Sequence, residues 1–346
     1  MNYSFDRLRT SLVAIFLAGL SLSCFSQSNS LKVQYYPGVA FSVTFYVAMA
    51  EGLFKKHGVD VETVGVTSGP AALAALSGGS VEIAAVNPDL LVAARQRGLD
   101  FKGICAASGP YFELVGASGF ARKPYPEVMQ QISGKNIGVN ALGSGGQFFM
   151  EAMLEGAGMS KESVTYIPVG PVAAVEAMQN KRVDFYMSFE PMTTFLTQSG
   201  NGKLLWSLAD AEGPTALTKL RVGIVWIAQG GALEKEPAKY LAFNRALEEA
   251  KAFVSDPVNA DKVAGDVLKL AGVNTKGLAG GDETMREVIK KKLLRVNAIT
   301  RFDTNEVDQW LTYMAQYQNS MLKPSSASAA SGQALSQKTV WASGCK

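Results

Sequence analysis

Two hydrophobic periods alternate along most of the chain. Short apolar runs such as residues 31–36 are typical of β-strands. Between such runs, apolar residues recur at helical spacing, as Phe45, Met49 and Leu53 do in the segment 42–56. Strands that alternate with helices of about ten residues are typical of βαβ units. The pattern therefore predicts an α/β fold with mostly parallel sheets and flanking helices.

This alternation runs through the chain twice and ends in helices. The predicted strands lie at 31–36, 59–66, 81–86, 101–107, 112–117, 136–139, 164–167, 183–187, 203–206 and 222–228. The predicted helices lie at 42–56, 68–76, 87–98, 124–132, 147–155, 172–179, from 191 onward, and at 237–255, 259–271, 283–296 and 306–319. Two similar α/β halves are what a hinged, two-lobed protein would show. Ligands of such sheets bind in the crevice at the carboxyl ends of the strands.

Small, polar and aromatic residues lie where these strands end. Two of the loops, at Ser68 and Ser144, begin helices whose free N–H groups and positive dipole end can bind an anion. The plainer alternative for each serine is an ordinary N-cap. The glycines at 143–146 match neither a Walker loop nor G-x-G-x-x-G, so they do not predict a nucleotide site. The candidate ligand-binding residues are Phe41, Ser68, Gly69, Asn87, Tyr111, Gly143, Ser144, Gly145 and Glu190.

The N-terminus has the pattern of an export signal. Arg7 and Arg9 precede an apolar run at 12–22, and small residues follow it. As a helix this run is roughly 17 Å long, too short for a bilayer core of roughly 30 Å. We therefore predict a signal peptide at 1–26 and a periplasmic or other extracytoplasmic location. The alternative is cleavage before Cys24 and lipidation of its thiol, which would anchor the protein to a membrane.

Composition and charge exclude several classes of function. The 346 residues are 47% hydrophobic and 18% charged, which is typical of a globular protein with a large core. The 33 basic and 30 acidic residues give a net charge of +3, which argues against a nucleic-acid-binding protein. One histidine and three scattered cysteines form no metal-binding spacing. We expect no metal and no cofactor.

Two features concern the C-terminal end and the cysteines. The segment 323–346 is rich in Ser, Ala and Gly and has little periodicity, so it is predicted to be disordered. Cys105 falls within a predicted strand, where a buried, inert thiol is the favoured interpretation. Pairing of Cys105 with Cys345 in an oxidising compartment is the alternative.

An ordered set of short motifs points to one protein family. They are YVAMAEGLF at 46–54, HGVDV at 57–61, GPAALAAL at 69–76, GSVEIA at 79–84, SGKNIGV at 133–139, GSG at 143–145, and VD at 183–184 leading to FEP at 189–191. In this order they resemble the substrate-binding proteins of ABC importers, in the branch that handles sulfonates, taurine, nitrate and thiamine-type pyrimidines. The resemblance covers residues 31–260.

The resemblance implies a venus-flytrap fold of periplasmic-binding-protein type II. Lobe 1 would comprise 31–117 and the helical part 222–322, and lobe 2 would comprise 118–221, with hinge crossings near 112–117 and 222–228. The implied function is capture of a small organic or anionic solute (a sulfonate, nitrate or a pyrimidine-like compound) between the lobes and its delivery to an ABC permease, by a monomer that is not an enzyme. The alternatives are a periplasmic sensor, or an enzyme of the same fold in pyrimidine or thiamine-precursor synthesis. An export signal argues against the enzyme, since such enzymes are cytoplasmic.

The chain departs from the family pattern at several positions. Glu82 stands where an aspartate is usual, Phe189 replaces a tryptophan, and no Arg or Lys is predicted in a cleft loop, although Arg122 and Arg221 flank the lobe boundary. Aromatic residues lie in or beside the loops, so a planar ligand is as plausible as an inorganic anion. They are Phe41, Tyr46, Tyr111, Phe112, Phe148 and Phe189.

Two single residues invite an enzymatic interpretation, and a binding or structural role is favoured for each. His57, the only histidine, precedes the helix-ending Gly58, so a solvated histidine at a helix end is expected. Glu190 has no accompanying nucleophile, which favours a ligand acceptor or a lobe-closing contact.

Overall fold

The computed structural model describes residues 29–210 and 213–299, together with Trp341 and Ser343. The predicted signal peptide with Cys24, the predicted helix 306–319 and most of the segment 323–346 lie outside the described residues. The strands are β1 (Ser30–Tyr35), β2 (Asp60–Gly65), β3 (Ala84–Val86), β4 (Phe101–Ser108), β5 (Glu113–Ala117), β6 (Asn136–Val139), β7 (Thr165–Pro168), β8 (Phe185–Ser188), β9 (Gly202–Ser207) and β10 (Ile224–Gln229).

Helices follow most of these strands, as the periodicity predicts. They are α1 (Val43–Ala50), α2 (Leu53–Lys56), α3 (Gly69–Ser77), α4 (Pro88–Gln96), α5 (Glu127–Gln130), α6 (Gly145–Gly156), α7 (Ala174–Gln179), α8 (Met192–Gln198), α9 (Thr215–Thr218), α10 (Gly230–Lys235), α11 (Pro237–Ser255), α12 (Ala260–Leu270), α13 (Gly281–Val288) and α14 (Leu294–Ile299). None of the helices in the described part of the chain is long and apolar enough to cross a bilayer.

Two predicted helices are each divided. The predicted helix 42–56 is two helices, because Gly52 has a φ of 64°, a left-handed conformation that ends α1 and begins α2. The predicted helix 283–296 consists of α13, a π-helical turn at Ile289–Leu293, and α14. A π-helical turn changes the direction in which the following side chains point, and this turn contains Lys292, which lies close to the site described below.

The strands form two similar sheet layers. In the first, β1 pairs in parallel with β2, a bridge between Val33 and Ile83 links β1 to β3, and β10 lies between β3 and β4. In the second, the order is β7-β6-β8-β5-β9. The two orders correspond strand for strand, with β10 and β5 in equivalent places. The predicted α/β class and the repetition of its halves are confirmed.

The chain crosses between the two sheets twice, from β4 to β5 and from β9 back to β10. Each crossing leads into one strand of the other sheet. β10 runs antiparallel to β3 and β4, and β5 runs antiparallel to β8 and β9. We call the connection between β4 and β5 the first crossing and the one between β9 and β10 the second crossing. The two run side by side, since the N–H of Gly223 donates to the carbonyl of Ser108 at 2.8 Å and that of Leu208 to the carbonyl of Phe112 at 3.0 Å. The crossings therefore lie just before β5 and β10, the strands expected near the hinge. The residue boundaries of the two lobes remain a prediction.

A carboxylate holds the corresponding strand in each sheet, β1 in the first and β6 in the second. A carboxylate oxygen of Glu82 accepts a hydrogen bond from the backbone N–H of Lys32 at 2.9 Å, and Asp184 accepts one from Asn136 at 3.0 Å. Glu82 also pairs with Lys239 at 2.8 Å. Glu82 and Asp184 thus accept equivalent backbone hydrogen bonds in the two sheets. The glutamate that departs from the family pattern therefore has a structural role that does not require contact with a ligand.

Three sequence predictions need correction. Cys105 is disulfide-bonded rather than an inert thiol, and the other two cysteines lie outside the described residues. Trp341 does not follow the predicted disorder of its segment, since its N–H donates to the carbonyl of Gly103 at 2.9 Å and its ring packs on Tyr240. His57 does lie at a helix end, but its Nε2 is paired with Glu249 at 2.8 Å and its side chain is half-buried rather than solvated.

The packing of β5 allows a test of this architecture. A Cβ on Gly116 would lie 2.4 Å from a methyl of Leu205 and 3.0 Å from the ring of Phe185, whereas a Cβ on Gly119 would meet nothing within 4 Å. Gly116→Ala should lower the free energy of unfolding by about 1–3 kcal/mol through overpacking. Gly119→Ala, the control, should stay within about 0.5 kcal/mol in urea titrations. Equal stability of the two variants would contradict the described packing of β5.

Candidate functional site

Three aromatic rings from separate parts of the chain meet beside the crossings. Phe41 lies between β1 and α1, Tyr111 lies on the first crossing, and Phe189 follows β8. The ring centroids of Phe41 and Tyr111 are 4.8 Å apart, and Phe189 lies 6.1 Å from each of them. All three side chains are buried, and Tyr36 packs on Phe41 at 5.5 Å. We call Phe41, Tyr111 and Phe189 the aromatic cluster.

The N-terminal ends of α4 and α6 approach each other next to this cluster. The buried side-chain amide of Asn87, which precedes α4, donates to the carbonyl of Gly223 at 2.7 Å and to the hydroxyl of Tyr111 at 3.2 Å. A Cβ on Gly145, the first residue of α6, would lie 2.1 Å from the Asn87 side-chain oxygen. Only glycine permits this approach. The structure therefore brings three predicted site residues together from both halves of the fold.

Ser144 is the predicted residue whose polar atom is still available. It precedes α6 and is 2% exposed, and its Oγ has no hydrogen-bond partner in the structure. The first turn of α6 has no acidic residue. A buried polar atom without a partner is costly, typically by about 1–3 kcal/mol, and points to a function or a ligand.

Three other predicted residues have structural roles instead. The hydroxyl of Ser68 accepts the N–H of Ala71 at 3.4 Å, so Ser68 is the ordinary N-cap of α3. Gly69 is buried, and a Cβ there would lie 2.7 Å from a methyl of Leu90. Gly143 is exposed, and its N–H donates to Gln147 at 2.9 Å. The two serine loops therefore look equivalent in sequence but differ in the availability of their hydroxyls.

Asp89 is a site residue that sequence reasoning missed. It lies in the first turn of α4 and is 6% exposed, and its Oδ1 has no hydrogen-bond partner. Burial raises the pKa of Asp89 to about 7, although backbone N–H groups of the helix end partly oppose the shift. Burial also raises the pKa of Tyr111, and the nearby Asp89 adds to that effect. In the sequence, the only indication that Asp89 belongs to the site is its position two residues after Asn87.

Glu190 is engaged by the protein rather than free for a ligand. One carboxylate oxygen accepts the hydroxyl of Thr194 at 2.7 Å, and the other accepts Lys292 Nζ at 2.6 Å. Lys292 also pairs with Glu113 at 3.1 Å, so one lysine serves two buried carboxylates. Burial raises the pKa of Glu113, and the neighbouring Glu190 raises it further. Glu190 is thus held by Thr194 and by the C-terminal Lys292, and its expected role as a ligand acceptor or a lobe-closing contact stays a prediction.

Lys292 belongs to a C-terminal segment that contacts the second sheet layer at further points. The N–H of Ala279 donates to Gln198 at 3.0 Å, and Arg295 donates to the carbonyl of Ala209 at 3.0 Å. Arg122, expected near the lobe boundary, pairs with Asp210 at 3.7 Å. A groove of about 330 Å³ lies beside Lys292 along α13. The cation beside Glu190 thus comes from a segment about 100 residues away in the sequence. This separation explains why no Arg or Lys was predicted in a cleft loop.

The assembled groups are suited to recognition by stacking and hydrogen bonding. They comprise the aromatic cluster, an amide, a free hydroxyl and a buried carboxyl. Among the described residues, no group of three His, Cys, Asp or Glu could hold a metal ion.

The raised pKa of Asp89 predicts a pH dependence of stability. Between roughly pH 4 and 7 the folded protein binds more protons at Asp89 than the unfolded chain, so the free energy of unfolding falls as the pH rises. A shift from 3.8 to about 7 corresponds to a loss of about 4 kcal/mol at pH 8. About 3 kcal/mol of this loss falls between pH 5 and pH 8, where urea titrations can measure it, and Asp89→Asn should remove most of that part. Asp282→Asn, in the exposed first turn of α13, should leave it unchanged.

Removal of Lys292 tests the shared ion pair. Lys292→Met should lower the free energy of unfolding at pH 8 by about 2 kcal/mol, because it leaves two buried carboxylates without their cation. This estimate is reduced because the lysine side chain is 38% exposed. The loss should shrink as the pH falls, because burial raises the pKa of Glu113 and a protonated Glu113 no longer needs the cation. Lys291→Met, at a 75% exposed neighbour, should cost less than about 0.5 kcal/mol. Similar losses for both variants would contradict the ion pair.

Several known proteins resemble this chain in sequence or in fold. A protein of Brucella abortus (strain 2308) that is named as a binding protein is 23% identical over 318 residues, 88% of this chain and 92% of that protein. The alkanesulfonate-binding protein SsuA from Xanthomonas axonopodis pv. citri, bound to MOPS, aligns with a TM-score of 0.69 at 16% identity, covering 90% of this chain and 98% of that one. The periplasmic aliphatic sulphonate binding protein SsuA from Escherichia coli gives 0.66 at 16% identity, with coverages of 90% and 92%.

These likenesses confirm the two-lobed fold of periplasmic binding proteins. At the level of sequence, the family model described as NMT1/THI5 like matches residues 41–260, more than half of the chain. This segment lies within the 31–260 covered by the ordered motifs, so the predicted resemblance is confirmed. The chain belongs to the NMT1/THI5-like family.

Proposed function

We propose that this protein captures a small solute between its two lobes, outside the cytoplasm, and delivers it to the permease of an ABC importer. The observation that carries this proposal is the meeting of Phe41, Tyr111 and Phe189 at the contact between Asn87 and Gly145. A ligand there would touch both halves of the fold at once.

Such a site couples binding to closure of the lobes. A ligand shifts an open–closed equilibrium only through a higher affinity for the closed form. Groups from both halves contribute to this site, so a solute gains its full set of contacts only when they come together. Closure around the solute then provides the signal that a permease could recognise.

The contacts define a revised set of ligand-binding residues. We assign stacking to the aromatic cluster, and hydrogen bonding to Asn87 and Ser144, with Gly145 allowing the close approach. Ser68, Gly69 and Gly143 support the loops, and Glu190 anchors its loop through Lys292.

An extracytoplasmic location is supported by two observations on the chain. The segment 1–26 has the pattern of a signal peptide, and Cys105 is disulfide-bonded, as is usual in oxidising compartments. The Escherichia coli protein of similar fold is itself named as periplasmic.

The test is a thermal-shift screen of the protein without its first 26 residues. The panel contains sulfonates, nitrate, aromatic amines, aminopyrimidines and aromatic carboxylates. A ligand at about 100 times its Kd stabilises the fold by about 2.7 kcal/mol, which raises the Tm by several degrees. Ser144→Val should weaken the best binder by at least about tenfold, since it removes the only free hydroxyl described at the site.

The matched control is Ser68→Ala. It should lower stability by about 1 kcal/mol through loss of a cap while leaving the affinity unchanged. A panel without any stabilising solute, or equal affinity in Ser144→Val, would count against solute binding at this site.

A further inference from the structure

The charge around the aromatic cluster is unsuited to an anion. Three buried carboxyl groups, of Asp89, Glu113 and Glu190, lie on or directly beside the segments that carry the cluster and Asn87. Lys292 pairs with two of them, Glu113 at 3.1 Å and Glu190 at 2.6 Å. Even with this lysine counted, an anionic solute would enter beside an excess of carboxyl groups.

The helix ends that could attract an anion are already engaged. The hydroxyl of Ser68 caps α3, and Asp89 places a carboxyl in the first turn of α4, where it receives backbone N–H groups. At α6, the side-chain oxygen of Asn87 lies against Gly145. An anion at α6 would have to displace this amide, and one at α4 would meet the resident carboxyl.

The groups without partners are ones that accept hydrogen bonds. Asp89 Oδ1 is a buried carboxylate oxygen without a hydrogen-bond partner, and the unpartnered Ser144 hydroxyl can accept as well as donate. Asp89 is more than nine-tenths buried and lies close enough to Tyr111 to affect its titration. Above about pH 7, where the Asp89 carboxyl is ionised, a solute that supplies N–H donors or positive charge would satisfy these atoms, whereas a sulfonate would not.

The aromatic cluster adds a second attraction for positive charge. Ring faces attract cations electrostatically, most strongly when the cation is removed from water. Rings 4.8–6.1 Å apart also offer flat surfaces on which a planar group can stack after the lobes part. Carboxyl groups beside aromatic faces form the environment expected around an organic cation.

We propose that the solute is a small, flat organic cation, with Asp89 as the residue that selects positive charge. This inference rests on the proposed solute-binding function and names its substrate class. It sets this chain apart from the alkanesulfonate-binding and aliphatic sulphonate-binding proteins that share its fold.

Titration calorimetry at pH 8 with matched ring compounds tests the inference. The probes are benzamidinium and benzyltrimethylammonium, compared with benzenesulfonate and benzoate. At least one cation should bind at least tenfold more tightly than both anions. Asp89→Asn should weaken that cation at least tenfold, and its fold can be checked independently because the substitution is expected to raise stability at pH 8. Asp282→Asn, also in the first turn of a helix, should not change the affinity.

The possible outcomes separate the two proposals. If neither cation binds, if an anion binds as tightly as the cations, or if Asp89→Asn binds the cation normally, the selection of positive charge is overturned. A sulfonate or nitrate that stabilises the protein and is weakened by Ser144→Val would leave the solute-binding function intact while refuting the cation. Only a screen in which no solute of any charge binds would remove both.

Discussion

The paired chain crossings are the constraint on which the rest of the structure depends. Two backbone hydrogen bonds, from Gly223 to Ser108 and from Leu208 to Phe112, hold the crossings side by side. The two crossings lead into β5 and β10, and each of these strands runs antiparallel to its neighbours in the sheet that it joins. The switch points of both sheets are thereby directed toward a common crevice, where ligands of open α/β sheets bind.

The site depends on very short approaches at this crevice. Asn87 reaches Gly145 because glycine has no Cβ, and the same amide is held by Gly223 on the second crossing. One side chain therefore links the start of α4, the start of α6 and the hinge region. Movement of α4 away from α6 would break the approach of Asn87 to Gly145, and a solute that bridges the two helix starts would favour the form in which they are close.

Buried carboxyl groups outnumber the basic groups described at the site. Glu113 and Glu190 are buried with a single lysine, and Asp89 is buried with one oxygen unpartnered. Buried carboxyl groups are costly and persist where the surrounding structure or a ligand compensates them. The same C-terminal segment that supplies Lys292 also contacts Gln198 and Ala209, so the charge balance of the site is tied to how the C-terminal helices pack.

The sequence by itself determined the α/β class, the repeated halves and the positions of nearly all described strands, because hydrophobic period and turn residues are local properties. It also picked out Asn87, Tyr111 and Gly145, which the structure brings together, because the carboxyl ends of parallel strands share one edge of a sheet. It could not separate Ser68 from Ser144, because whether a hydroxyl caps its own helix or remains free depends on side-chain geometry. Only the tertiary structure decided that Lys292, about 100 residues from its partner Glu190, pairs with two buried carboxylates, and that Asp89 is buried. Long-range ion pairs and burial arise from packing, which no local pattern encodes.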